Sequence, residues 1–486
     1  MATGTAADLD LLGSGALVSE LPGIRAAFDP AVMREQLQAA LGGATVRRCT
    51  PAQAILVDGP CCVVRYDLEL EGPAGQVVAA LVSGRVYGDA GAAAAYAAER
   101  LAPLSARVRG REEVAPFTTA SAVIEPLGMA VHAFPVDGEL PTLVDATDPG
   151  VAARVLGEML DASGQAVQVV GCRVEPVHYN RRRRCMLRYR LDLAGGGQLV
   201  LYGKVSNDGA GERTPAVVAG LRDAMGAVMS GAVSAALALA GADFTIPECL
   251  GFHPDLQLVV LTEIAGVPQV AQLLKARLRG EAPPAAGLTL EDAVGACGRI
   301  AAVLHTSGMR LGVARPLERE LEDLRAELAP IQRVSPELGG RLGRWLDLAA
   351  ARAAPAPALP LCQSHGDFSY TQLLFHGPAS GLVDFDNFCR AEPALDLGHF
   401  LAYLRFAGVK ARGLEAAERA ALGADLAARF TAAYVDAGGL AEALARVPAY
   451  EAVSLVRLAE HAWQRFKGDR LGNVLTVLAE RLPLDT

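Results

Sequence analysis

The sequence has 486 residues, 51% of them hydrophobic, with a net charge of −9 and a pI of about 5.5. That length allows several folded domains with a sizeable core, and the acidic balance argues against a nucleic-acid partner. No apolar run reaches the roughly 18 residues that a membrane span requires: the most alanine-rich stretch, Ser234 to Ala240, is short and gives way to Asp243.

The N-terminal MATGTAADLDLL has no basic start followed by an apolar core, so no secretory signal is expected. Nine scattered cysteines, with no C-x-x-C and no histidines at zinc spacing, suit a reducing cytoplasm and small buried hydrophobes. Residues 45–140 read as strands, a helix, then strands: CCVVRYDLEL and QVVAALVSGRVY are β-rich, AGAAAAYAAERLAPL is helical, and MAVHAFP is a short strand. Residues 170–268 repeat that order. Cys62, Arg65, Tyr66 and Leu68 align with Cys185, Arg188, Tyr189 and Leu191, and Arg85 falls opposite Lys204. A duplicated α+β unit follows. From about 269 onward apolar residues recur at i, i+3, i+4, in LEDAVGACGRIAAVLHTSG, LERELEDLRAEL, ERAALGADLAARFTAAYVDAG and the two closing segments. Two short strands, around Gln372–His376 and Gly381–Phe385 with a Gly-Pro turn, interrupt these helices. The expected domains are 1–160, 161–268 and 269–486.

The chemistry-bearing residues gather in that interruption: His365-Gly366-Asp367, Gln372, Asp384-Phe385-Asp386 and Asp396. Phosphoryl transfer needs a group to orient the acceptor hydroxyl and receive its proton. It also needs divalent ions on the phosphates and a cation for the α- and β-phosphates. Asp367 can take the proton, the Gln372 amide oxygen can face the same cleft, and Asp384 on the neighbouring strand offers a hard anionic oxygen to Mg²⁺. HGD alone is a weak signal; HGD-x4-Q, D-F-D and A-L-D-L within one short stretch is a specific one.

HGDFSYTQLLF, GLVDFDNF and EPALDLGHFLAYL, with Leu304-His305 ahead of them, resemble the aminoglycoside phosphotransferase and choline kinase group of the protein-kinase-like superfamily. The resemblance covers roughly 170–486. It implies an α+β, protein-kinase-like bilobal fold, with a β-rich N-lobe and a helical C-lobe; residues 1–160 would add an extra α+β domain resembling a degenerate N-lobe. It also implies ATP or GTP and Mg²⁺ as cofactors. Asp367 would be the catalytic aspartate, Asp384 a metal ligand, and Gln372 would stand where most members carry a metal-binding Asn. His365 would be a packing residue under the loop and Asp396 a structural brace. Asp386, in place of a D-F-G glycine, is either a further metal ligand or a solvated turn residue. Lys204, one of only four lysines, sits on an apolar strand where the group has its phosphate lysine. Glu263 lies near the expected adenine position.

Other expected parts are faint. Glu212 and Asp223 are the candidates for a helix carboxylate paired with Lys204. The turn YNRRRRC replaces a glycine-rich loop, so Arg181 to Arg184 either touch phosphates or form a solvated turn. No Walker A pattern occurs. His399 and Glu460-His461-Trp463 either border the acceptor pocket or are ordinary helix residues. From residue 269 onward 24 Lys and Arg stand against 25 Asp and Glu, which favours sugars, amino alcohols and neutral hydroxyl compounds over cationic antibiotics. The leading expectation is a small-molecule kinase without nucleic-acid or membrane partners. A pseudokinase-like binding protein is the alternative, and a kinase acting on protein side chains is a third reading.

Overall fold

An aspartate followed by proline opens two helices in this chain, and the same arrangement surrounds both. The computed structural model describes residues 12, 14–57, 59, 61–72, 75–180, 184–229, 244–282, 287–409 and 415–484; Ser234 to Ala240 and Arg181 to Arg183 lie outside them. After a first short helix α1 (Gly15–Glu20), α2 (Ile24–Ala27) leads through Asp29 into α3 (Pro30–Leu41). Asp29 caps the backbone N–H groups of Ala31 and Val32, and proline fits the first turn because its missing N–H has no partner there anyway.

Then follow β1 (Thr45–Val57), β2 (Cys61–Glu71), β3 (Val77–Tyr87), α4 (Ala90–Tyr96), α5 (Ala102–Arg107), β4 (Ser121–Ile124) and β5 (Met129–Ala133). The second copy runs α6 (Leu143–Ala146), α7 (Pro149–Ala162), β6 (Val169–Asn180), β7 (Arg184–Leu193), β8 (Gln198–Ser206), α8 (Ala210–Met229), β9 (Phe244–Thr245), β10 (Cys249–His253) and β11 (Leu258–Thr262). Asp148 caps α7 as Asp29 caps α3.

The two five-stranded sheets have one topology, β1-β2-β3-β5-β4 and β6-β7-β8-β11-β10. Their registers agree: Cys62 faces Val86 and Cys185 faces Val205, while Val63 faces Arg85 and Met186 faces Lys204. Each long edge strand carries two register breaks, one beginning at a proline, Pro51 or Pro176; an edge strand tolerates proline because one side of its backbone needs no ladder bond. In both copies a buried tyrosine ties the sheet to the short helix: Tyr66 Oη donates to Ala27 O at 2.7 Å and Tyr189 Oη to Ala146 O at 2.9 Å. Gly84 and Gly203 leave room for those rings, since a Cβ would meet Met129 and Tyr66 in one and Tyr189 and Leu258 in the other. The N-terminal unit thus repeats the strand order and register of the second. Residue 160 lies within α7, which packs against β6.

The helical lobe contains α9 (Gln269–Arg279), α10 (Leu290–Thr306), α11 (Leu317–Glu327), α12 (Ala329–Val334), α13 (Pro336–Ala353), α14 (Ala394–Val409), α15 (Ala416–Asp436), α16 (Val447–Gln464) and α17 (Gly468–Arg481). α14 packs on α16 and α10 on α15 around the buried Trp345, Trp463, Phe400 and Phe430. Between α13 and α14 lie β12 (Cys362–Ser364), paired with β15 (Cys389–Ala391), and the hairpin of β13 (Leu373–His376) and β14 (Ala379–Leu382). β14 also pairs with β9 of the second copy, so this hairpin touches both lobes. β14 ends before the expected Phe385, and Asp384 just beyond it turns left-handed, with φ 70°. No described helix is long and apolar enough to cross a membrane.

Tyr66→Phe and Tyr189→Phe each remove the donor from a buried carbonyl, and each should cost about 1–2 kcal/mol. Denaturant unfolding of the two variants measures this; unchanged unfolding midpoints would show that the tyrosine ties add nothing to stability.

Candidate active site

The loop that carries Asp367 is held from below by one carboxylate. Asp396, in the first turn of α14, accepts from His365 N at 2.7 Å and from Gly366 N at 2.9 Å. It is fully buried, and His305 Nε2 lies 3.2 Å away, with Tyr434 Oη 3.1 Å from the other ring nitrogen. Burial alone would raise the Asp396 pKa, but His305, His365 and the loop N–H outweigh it and hold the carboxyl below its usual range. Gly366 has φ 80°, and a Cβ there would come within 2.1 Å of Asn387 O, so only glycine allows the turn. The His365 ring is buried among Phe368, Phe385 and Phe388, with Nε2 3.0 Å from Val383 O.

Asp367 emerges from that loop half-buried. Its Oδ1 lies 2.9 Å from His399 Nε2 and its Oδ2 3.5 Å from Gln372 Nε2. Desolvation pushes its pKa up, yet the His399 contact, with His365 and His461 nearby, brings the net shift downward. The carboxylate is therefore ionised at neutral pH and can receive a proton. With its nitrogen turned to Asp367, Gln372 has its oxygen left for another ligand.

Lys204 enters from β8 of the second copy. Its Nζ donates to Asp384 Oδ1 at 3.0 Å and to Asp386 Oδ2 at 2.6 Å. Burial works against the ammonium, but the two carboxylates prevail and raise its pKa. Arg184 Nη1 bonds the same Asp386 oxygen at 2.6 Å, and its Nε bonds Asp208 at 2.8 Å. The Asp386 side chain is only 5% exposed, so it is not a solvated turn residue. Glu212 and Asp223 are both exposed on α8; the acids that hold Lys204 come instead from the turn after β14. Lys204, Gln372, Asp384 and Asp386 line one cavity of about 520 Å³, together with Glu263, which accepts from Tyr202 Oη at 3.2 Å.

Residues 232–450 match the family described as the phosphotransferase enzyme family. No curated protein matched the chain. Among solved structures it is similar to a glucosamine kinase, at 16% identity over 94% of this chain and 98% of that one with a TM-score of 0.44. A choline/ethanolamine kinase family protein from Mesorhizobium loti shows 18% identity over 68% and 95%, with a TM-score of 0.40. An aminoglycoside phosphotransferase from Streptomyces rimosus shows 19% over 62% and 96%, with a TM-score of 0.34.

Within the segment that matches the phosphotransferase enzyme family, sequence reasoning gave His399 too little weight. It stands three residues after Asp396 on α14, so the two share a helix face, and that spacing was the available signal. Arg184 carried no comparable signal, because its partner Asp386 is 202 residues away.

Asp396→Asn removes a buried charge and should cost about 3 kcal/mol. Because the folded-state pKa is lowered, the carboxylate's contribution is complete above the unfolded value of about 4 and is lost as pH falls through the folded one. Denaturant unfolding across pH 2–7 should show a flatter acid limb in the variant; identical limbs would remove Asp396 from the acid response.

Proposed function

We propose that this protein is a small-molecule kinase that moves the γ-phosphoryl group of ATP or GTP to a hydroxyl of a sugar, amino alcohol or antibiotic. The observation that carries the reading is the convergence of Lys204, Gln372 and Asp384 on one cavity of about 520 Å³; Asp367 is not among its lining residues but lies 3.5 Å from Gln372, which is. A metal-bound triphosphate needs such a space, with a cation and hard oxygen donors on its walls.

Among the described residues no cluster of three or more His, Cys, Asp or Glu side chains forms a metal cage. Mg²⁺ is held by few protein oxygens and completed by phosphates and water. Asp384 and the Gln372 amide oxygen would hold it, and it would offset charge on the phosphates. Lys204 exchanges its carboxylate partners for the α- and β-phosphates. Asp367 orients the acceptor hydroxyl and takes its proton as the new O–P bond forms; the bond to the β-phosphate oxygen breaks and ADP or GDP leaves. His399 holds Asp367 in place and favours its ionised form. The balanced charge of the helical lobe supports a neutral or weakly charged acceptor over a polycation. Free cysteines throughout the described chain support a cytoplasmic setting.

Asp367→Asn should retain nucleotide binding and lower turnover by about 10²- to 10⁴-fold. Nucleotide-consumption assays over sugars, amino alcohols and antibiotics, with thermal shift as the binding readout, provide the measurement. Nucleotide binding with no transfer to any acceptor would instead support the pseudokinase-like alternative, and full activity in Asp367→Asn would remove this residue as the base.

A further inference from the structure

The first copy contains the counterpart of the large cavity, almost closed. Val63, Arg85 and His132 hold the register positions of Met186, Lys204 and Leu261, and each trio lines a cavity in its own copy. The second copy encloses about 520 Å³; the first encloses about 20 Å³, room for roughly one water. Two things fill the first. Arg85 is turned to Glu139 at 3.2 Å and lies over the ring of Tyr96 at 5.0 Å. The other is Tyr179, which belongs to the second copy.

Tyr179 is 7% exposed. Its hydroxyl donates to Asp137, its ring meets Phe134 edge-on at 5.6 Å, and its carbonyl accepts from Arg65 Nη1 at 3.2 Å. Asp137 is fixed in turn by accepting from Glu139 N at 2.8 Å. Successive residues of a strand point to opposite faces. While Tyr179 is held in the first copy, its neighbour His178 therefore lines the large cavity. Asn180 pairs with Arg184 across β6 and β7, and Arg184 reaches Asp386, the partner of Lys204. The contacts run without a gap from Asp137 to Lys204.

We propose that Tyr179 is a positioning residue for the nucleotide: the closed groove of the first copy grips it and thereby sets the ends of β6 and β7, with His178 and Arg184, over the phosphate side of the large cavity. Where the second copy leaves an open cavity, the N-terminal copy holds part of its neighbour. This assignment rests on the small-molecule kinase reading for the identity of the ligand, but not for the grip itself.

The test compares wild type, Tyr179→Phe and Tyr66→Phe. Tyr66→Phe also loses a buried tyrosine hydroxyl bond, here to the backbone carbonyl of Ala27, and Tyr66 does not line the large cavity, so it reports the effect of destabilisation alone. Calorimetric titration with a non-hydrolysable ATP analogue and Mg²⁺ needs no acceptor. Loss of one buried, charge-assisted hydrogen bond, partly transmitted, should weaken binding by about 3- to 10-fold in Tyr179→Phe and leave Tyr66→Phe within twofold of wild type. Equal affinities in wild type and Tyr179→Phe, or equal weakening in both variants, would overturn the proposal. If wild type itself fails to bind the analogue, the kinase reading fails separately. Amide exchange then judges the grip: faster exchange across residues 184–193 in Tyr179→Phe alone supports it, and unchanged exchange there sinks it.

Discussion

A buried ammonium between two carboxylates ties the halves of this molecule together. Lys204 comes from a sheet and Asp384 and Asp386 from the turn after β14, 180 and 182 residues later, and Arg184 adds a second positive charge on Asp386. Taking charges out of water is costly unless each finds a partner. Here Lys204 and Arg184 face Asp384, Asp386 and Asp208, so each charge has a partner. It also fixes the distance between the lobes, which sets the width of the cavity. Phosphates offer Lys204 the same kind of oxygen partner, so a triphosphate can replace the carboxylates without stranding the ammonium.

The two sheets show how one backbone supports two uses. Topology and register are the same in both, and the tyrosine-to-carbonyl tie recurs. The side chains at equivalent positions decide the difference. A lysine answered by acids from another lobe leaves an open cavity. An arginine answered by Glu139 within its own copy, and stacked on an aromatic ring, closes the space. Arginine suits the closed form because its planar guanidinium packs on rings while keeping its ion pair.

On the other side of the hairpin, α14 does two jobs with one face. Asp396 shapes the loop by binding its N–H groups, and His399 meets the carboxylate that the loop presents. The loop aspartate is thereby placed by backbone geometry and kept ionised by a neighbouring ring. Gly366 completes the arrangement, since the close approach of Asn387 O leaves no room for a side chain.

Much was legible because it is written locally. Strand alternation, helical periodicity, the repeat and the spacing of Asp367, Gln372, Asp384 and Asp396 depend on residues close together in the chain, and they determined the class of fold and the cluster of candidate residues. What the sequence could not decide were meetings across long separations: Lys204 choosing Asp386 over Glu212, Arg184 joining them, and Tyr179 entering the other copy. Those depend on which surfaces the packed lobes bring within about 3 Å, the range over which a hydrogen bond forms, and only the tertiary structure sets that distance.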